Sequence, residues 1–249
     1  MRTNGDRRID VTVPGSTAPL RGNYDMRMFR SDTILPPDPE GLEVLHDREY
    51  RVRAYRVSDD ELLIRGAVCD QKPPGLYLAE DPDPLTMHHM QVDLHVAFPS
   101  AEIIAAEVVF ESHPHTTCPT ITGHYQGLVG LSISRGYTHK VRDLFGGPRG
   151  CTHTTALLLA MGPIAVQCFW SMHASTTRRD AAEQPPADIS PEQREMMWRS
   201  NLNTCHIWAE DGEQVTALQA GRPIEVMLTL RKRFEELGIP ESQWPMRGV

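Results

Sequence analysis

Alternation constrains this chain most. Between Met90 and Phe98, Val92, Leu94, Val96 and Phe98 share one face, with Asp93 and His95 on the other. A period of two fits a strand with one side on a core and one in water, and it does not fit a helix. A second strand is expected from about Ala101 to Glu111, beyond a Pro99-Ser100 turn. The same texture appears earlier, in Tyr50, Val52, Ala54, Tyr55 and Val57. A Ser58-Asp59-Asp60 turn then leads to Leu62–Cys69. Two hairpins predict one antiparallel sheet with a core side and a wetter side.

Helical texture follows His113. Residues from about Thr120 to Leu131 bring Tyr125, Leu128 and Val129 to helical spacing. A glycine-rich loop, Gly146-Gly147-Pro148-Arg149-Gly150, delivers the chain into Cys151-Thr152-His153-Thr154 and the apolar run Ala156–Trp170. That run predicts a helix buried on most of its circumference and bent at Pro163. It is shorter than the roughly 20 residues a bilayer span needs. After a polar break at 176–189, Ser190-Pro191-Glu192-Gln193 carries helix-start signals. Ile224–Leu230 reads as a strand, and Arg231–Leu237 as a short helix ending at Gly238. Residues 1–48, rich in Pro, Gly, Asp and Arg, read as an extended N-terminal arm. The fold class expected is α+β: a sheet of two hairpins packed against a buried helix, in one domain over 49–249.

The 249 residues suffice for a large core. With 25 Lys+Arg against 33 Asp+Glu, the formal charge of -8 argues against nucleic acid as a partner. The N-terminus has no apolar stretch after its basic residues, and the five cysteines form no CxxC pair. Both features suggest a cytoplasmic protein with free thiols and no membrane partner. A homo-oligomer is compatible with this composition.

Ligand-capable side chains crowd the middle of the chain. His88, His89 and His95 lie on or beside the third strand. His113, His115 and Cys118 follow the fourth, and Cys151 and His153 stand at the start of the buried helix. His46, His139 and His173 read as solvated residues. A helix start offers unpaired N–H groups and a partial positive charge, suited to an anion or to a thiolate at Cys151; Thr152 is a candidate cap. The bland alternative makes Cys151 a small packed residue. His113, His115, Cys118, Cys151 and His153 also form an alternative ligand set for zinc or iron, although their spacing matches no established zinc pattern. Tyr125 and Arg135 can hold a phenol or carboxylate, or simply pack and meet solvent. No phosphate-binding glycine loop or serine-hydrolase elbow is present.

Several of these residues together resemble a known family. His88-His89-Met90, Cys118-Pro119, Tyr125-Gln126-Gly127-Leu128, Gly130-Leu131, Gly147-Pro148-Arg149-Gly150-Cys151-Thr152-His153 and Gln167 resemble the bacterial domain of unknown function 2889. The segment at Cys205, followed by Asp211-Gly212, is similar to that family's C-terminal end. The chain departs from the pattern at His89, where the family usually carries Asp. The resemblance implies a place in bacterial aromatic catabolism. Its most concrete implication is a cofactor-free carbon–carbon lyase releasing formaldehyde from the hydroxymethyl group of a phenolic, lignin-derived dimer.

Such a lyase needs a base, which His88, His115 or His153 can supply, and groups that stabilise a phenolate. Tyr125, Arg135 and the helix start after Gly150 can do the latter, beside Cys151. Leu128, Leu157 and Met161 are the expected lining for a small aromatic substrate. Two other classes stay open: a metal-dependent enzyme on the Cys/His set, and a non-catalytic binder of an aromatic acid or acyl thioester.

Overall fold

The computed structural model describes residues 34–183, 195, 198–199, 201–222 and 225–241. Residues 34–45 contain turns and bends without helix or strand, and the compact unit that follows spans His46–Val249. The proposed helix start at Ser190 and most of the N-terminal arm lie outside the described residues.

Four strands form one antiparallel sheet in the order of the chain: β1 (Asp47–Arg56), β2 (Glu61–Lys72), β3 (Leu85–Ala97) and β4 (Ile103–Ser112). The expected pair of hairpins is therefore present, and the fold is α+β. Leu62, Ile64 and Val68 of β2 and Met90, Val92, Leu94 and Val96 of β3 occupy the buried face. The opposite face is polar: Arg65 grips Asp93 at 2.6–2.8 Å, and His95 Nδ1 lies 2.5 Å from Glu61. β3 starts at Leu85 rather than near Met90, because backbone pairing continues through the polar residues His88 and His89.

After β4, a 3-10 helical stretch (Cys118–Leu128) packs along that strand, where Gln126 Nε2 donates to the Ala106 carbonyl at 2.7 Å. Helix α1 (Tyr137–Phe145) buries Tyr137, Val141 and Phe145, which recur every four residues. Helix α2 (Thr152–Glu183) crosses the buried face of β1, β2 and β3 and runs on through Pro163. Cys151 precedes α2 and its carbonyl accepts from Thr155 N–H at 2.9 Å, so Cys151 occupies the capping position expected for Thr152.

Gly66 allows α2 to sit close. A Cβ there would meet Met161 Sδ at 2.9 Å and Leu157 Cδ1 at 3.1 Å. Leu157, Leu158, Met161 and Ala165 are fully buried in the core that joins the sheet, α1, α2 and the 3-10 stretch. At its far end α2 meets β1, where Arg56 reaches the Met172 carbonyl and the Ser175 hydroxyl. Within the segment Thr152–Ser175 an 18-residue window has mean hydropathy 1.5, so by length and composition alone the helix could cross a membrane, as the core helix of a soluble protein also could. The segment is longer than the run visible in the sequence, because the helix also takes in its flanking Thr, His and Ser residues.

Towards the C-terminus, α3 (Glu213–Gln219) places Val215 and Leu218 against Trp198, with Leu202 and Trp208 alongside. Helix α4 spans Leu228–Glu236. The expected strand Ile224–Leu230 is thus corrected: Leu228, Thr229 and Leu230 form the first turn of a helix, and no neighbouring strand is described there to pair with them.

Candidate active site at the end of the sheet

The buried face of the sheet changes character at one end. In β2 the row Leu62, Ile64, Gly66, Val68 continues to Asp70, which is 1% exposed. Asp70 pairs in register with Arg48 on β1 and with His88 on β3. Three polar side chains therefore extend three apolar rows. Immediately beyond, the pairing shifts so that Gln71 faces Thr86, a bulge that ends the regular ladder beside the site.

Arg48 binds Asp70 with both arms of its fork, Nε on Oδ1 at 2.5 Å and Nη2 on Oδ2 at 2.7 Å. His46 Nε2 lies 3.5 Å from Oδ1. Helix α2 brings His153 over the same carboxylate, with Nε2 3.1 Å from Oδ2, and His88 Nδ1 lies 3.2 Å from that oxygen. The two imidazoles stack, with centroids 3.8 Å apart and planes 26° from parallel. His88 Nδ1 is enclosed and, despite its short distance to Asp70, lacks a hydrogen-bond partner because the geometry is misaligned.

Burial pushes the Asp70 carboxyl upward, but the Arg48 hydrogen bond and charge, helped by His153 and His46, outweigh it and hold it below its ordinary value. For His153, burial and the neighbouring His88 push the imidazole down against the opposing pull of Asp70. The result is an ionised carboxylate beside a neutral imidazole at neutral pH.

The loop before α2 fixes where these groups sit. A Cβ at Gly150 would stand 2.5 Å from the Phe145 carbonyl oxygen, so a side chain there would push α2 away from α1. The Tyr125 hydroxyl accepts from Cys151 N–H at 2.8 Å, and the Thr155 hydroxyl donates to the Phe145 carbonyl at 2.9 Å. Cys151 Sγ lies 3.8 Å from His153 Nδ1.

Of the residues singled out in the sequence, His88 and His153 meet at this cluster and Cys151 adjoins it. Tyr125 is wholly buried against Phe145 and supports the loop from beneath. His115 and Arg135 are exposed; the His115 carbonyl accepts from His113 Nδ1 at 2.9 Å, and Arg135 N–H donates to the Ser132 hydroxyl. Leu128, Leu157 and Met161 are fully buried members of the core. The sequence reading missed Asp70, Arg48 and His46, the last taken for a solvated residue. Their signal is phase: Arg48 and Asp70 continue core-facing rows with a charge where an apolar residue is due.

Among the described residues, the group whose ligand atoms converge is Asp70, His88 and His153, all within 4.8 Å of one another. The alternative set of His113, His115, Cys118, Cys151 and His153 contributes only His153 to it. The donor types suit zinc or iron. The stacked rings suit it less well. Near-parallel imidazole planes hold their lone pairs side by side, whereas a shared ion about 2.0–2.1 Å from each nitrogen requires both planes to pass through it. Arg48 also occupies both oxygens of the carboxylate.

No curated protein and no solved structure matches the chain. Residues 46–167 match the family described as protein of unknown function (DUF2889). The matched segment carries Arg48, Asp70, His88, Cys151 and His153 together.

Proposed function

We propose that the protein is an acid–base enzyme whose centre is the His88–His153 pair on Asp70. The observation that carries this reading is the stacking of two imidazoles, from a strand and a helix, over one buried carboxylate already neutralised by Arg48. Asp70 lies against both rings and stabilises the cation formed when one of them takes a proton. The neighbouring His88 helps burial to hold the His153 imidazole neutral, ready to take a proton.

The substrate class comes from the family resemblance, not from the geometry. It is a small phenolic, lignin-derived dimer bearing a hydroxymethyl group, from which formaldehyde is released in the cytoplasm without a cofactor. Loss of the phenolic proton breaks the ring ether C–O bond to give a quinone methide, and the released phenoxide takes up a proton. One imidazole then removes the hydroxymethyl O–H proton, and the carbon–carbon bond breaks as formaldehyde departs. Its electron pair flows into the quinone methide to leave a stilbene phenolate. The Tyr125 hydroxyl already accepts from Cys151 N–H, and Arg135 is exposed. The unpaired N–H groups in the first turn of α2 are the stabilising element beside His153.

The test is formaldehyde release by purified protein from such a dimer, together with elemental analysis and chelation. Turnover by metal-free protein, lost in both His88→Ala and His153→Ala while substrate affinity stays, supports the reading. Stoichiometric zinc or iron with activity lost on chelation overturns it. Saturable binding without product makes the protein a binder instead.

A further inference from the structure

Cys151 has no part in that reaction, yet its surroundings are those of a nucleophile. Its Sγ faces Nδ1 of His153 at 3.8 Å, and the other nitrogen of the same ring, Nε2, faces Asp70 at 3.1 Å. With the ring proton on Nε2, the nitrogen beside the carboxylate, Nδ1 is left as the acceptor, turned towards the thiol. Cys151 caps α2, and its side chain is only half-buried. The backbone N–H of Cys151 is taken by Tyr125, which fixes the thiol's carrier, while the following N–H groups have no partner inside the helix. The same cluster holds His88 Nδ1, enclosed and without a hydrogen-bond partner.

We infer that Cys151, His153 and Asp70 form a thiol–imidazole–carboxylate relay for covalent attack on activated acyl groups, esters or thioesters. This rests on the reading above only in taking Asp70 and His153 as a proton-moving pair. As the Cys151 sulfur bonds to the carbonyl carbon, its proton passes to His153 Nδ1. The bond to the leaving alcohol or thiol breaks, and that group departs with the proton. The first-turn N–H groups of α2 face the developing oxyanion. Water then attacks the acyl-cysteine and gives a proton to His153, and the thiol returns as the acid leaves.

Five free cysteines make the experiment internally controlled. The full-length protein is treated with iodoacetamide at pH 7, and separately with 4-nitrophenyl acetate followed by an acid quench. The modified peptides are then mapped by mass. The expected result is alkylation of Cys151 about tenfold faster than of the exposed Cys205, and one acetyl group per chain trapped on Cys151. In His153→Gln the excess reactivity disappears while Cys205 is unchanged. Cys151 reacting no faster than Cys205, or acetyl groups spread over several residues, overturns the inference; the unmodified protein alone decides this, even if the variant fails to fold. The two readings fail separately. Formaldehyde release by protein with an unreactive Cys151 removes this one, and a reactive, acylating Cys151 without formaldehyde release removes the other.

Discussion

Arg48 holds both oxygens of Asp70, at 2.5 and 2.7 Å, across the β1–β2 pairing. The carboxylate is buried, whereas the Arg48 side chain is 37% exposed, so Arg48 also remains partly hydrated. Arg48→Ala is expected to cost about 1–3 kcal/mol, because a buried charged acceptor loses its main partner. In the wild type Asp70 contributes stability that is present above the ordinary carboxyl value near 3.9 and is lost as pH falls through its lower folded value. Without Arg48, burial acts with less opposition. Acid unfolding of the variant should therefore begin at higher pH, as followed by circular dichroism across a pH series.

The pH dependence of His153 has the opposite partners but the same sign. Its folded value lies below the ordinary 6.5, through burial and His88, with Asp70 on β2 opposing and Arg48 on β1 adding to the depression. As pH falls through 6.5 the unfolded chain binds the proton first, so stability falls until the folded value is reached. His153→Gln should flatten this part of the stability profile. Any activity using the neutral ring should persist below pH 6.5, and NMR titration of the His153 ring protons gives the folded value directly.

Much of this architecture was legible and part of the site was not, for physical reasons. Alternation reports which face a residue occupies, so Val92, Leu94 and Val96 revealed the core side of β3 without any structure. Asp70 lies in phase with Val68, but the strand read from the sequence stops at Cys69, because a charge in phase reads as the end of a strand unless its partner is known. That partner, Arg48, is 22 residues away, and strand register is set by backbone pairing rather than by local pattern. His153 was visible because a helix start after glycines is a local signal. Its position over Asp70 depends on how α2 lies across the sheet, which local sequence does not encode. Leu157 and Met161 were apolar enough for a pocket. The missing side chain at Gly66 shows why they pack solidly instead.

That contact gives a further expectation. Gly66→Ala places a methyl group 2.9 Å from Met161 Sδ and 3.1 Å from Leu157 Cδ1, in a core with no exposed outlet. Overpacking of this kind costs about 1–3 kcal/mol. Met161 ends in a flexible thioether, so Met161→Ala in the Gly66→Ala background should recover part of the loss although Met161→Ala alone destabilises. Urea unfolding of the four proteins measures the coupling, and strictly additive effects would show that the helix does not sit against Gly66.

Tyr125→Phe tests the loop that carries Cys151. The hydroxyl accepts from Cys151 N–H at 2.8 Å in a fully buried setting, and its removal leaves that N–H without a protein partner. The ring keeps its packing on Phe145, 4.8 Å between centroids, so the loss is that of one hydrogen bond, about 0.5–1.5 kcal/mol. Global stability should fall by that amount while the amide of Cys151 exchanges much faster than those in the middle of α2. Because this bond fixes the backbone that bears both Cys151 and, two residues on, His153, the substitution should also reduce the excess alkylation rate of Cys151 over Cys205. A Tyr125→Phe protein with wild-type exchange at Cys151 would mean that the start of α2 is held by the Gly150 approach to Phe145 alone.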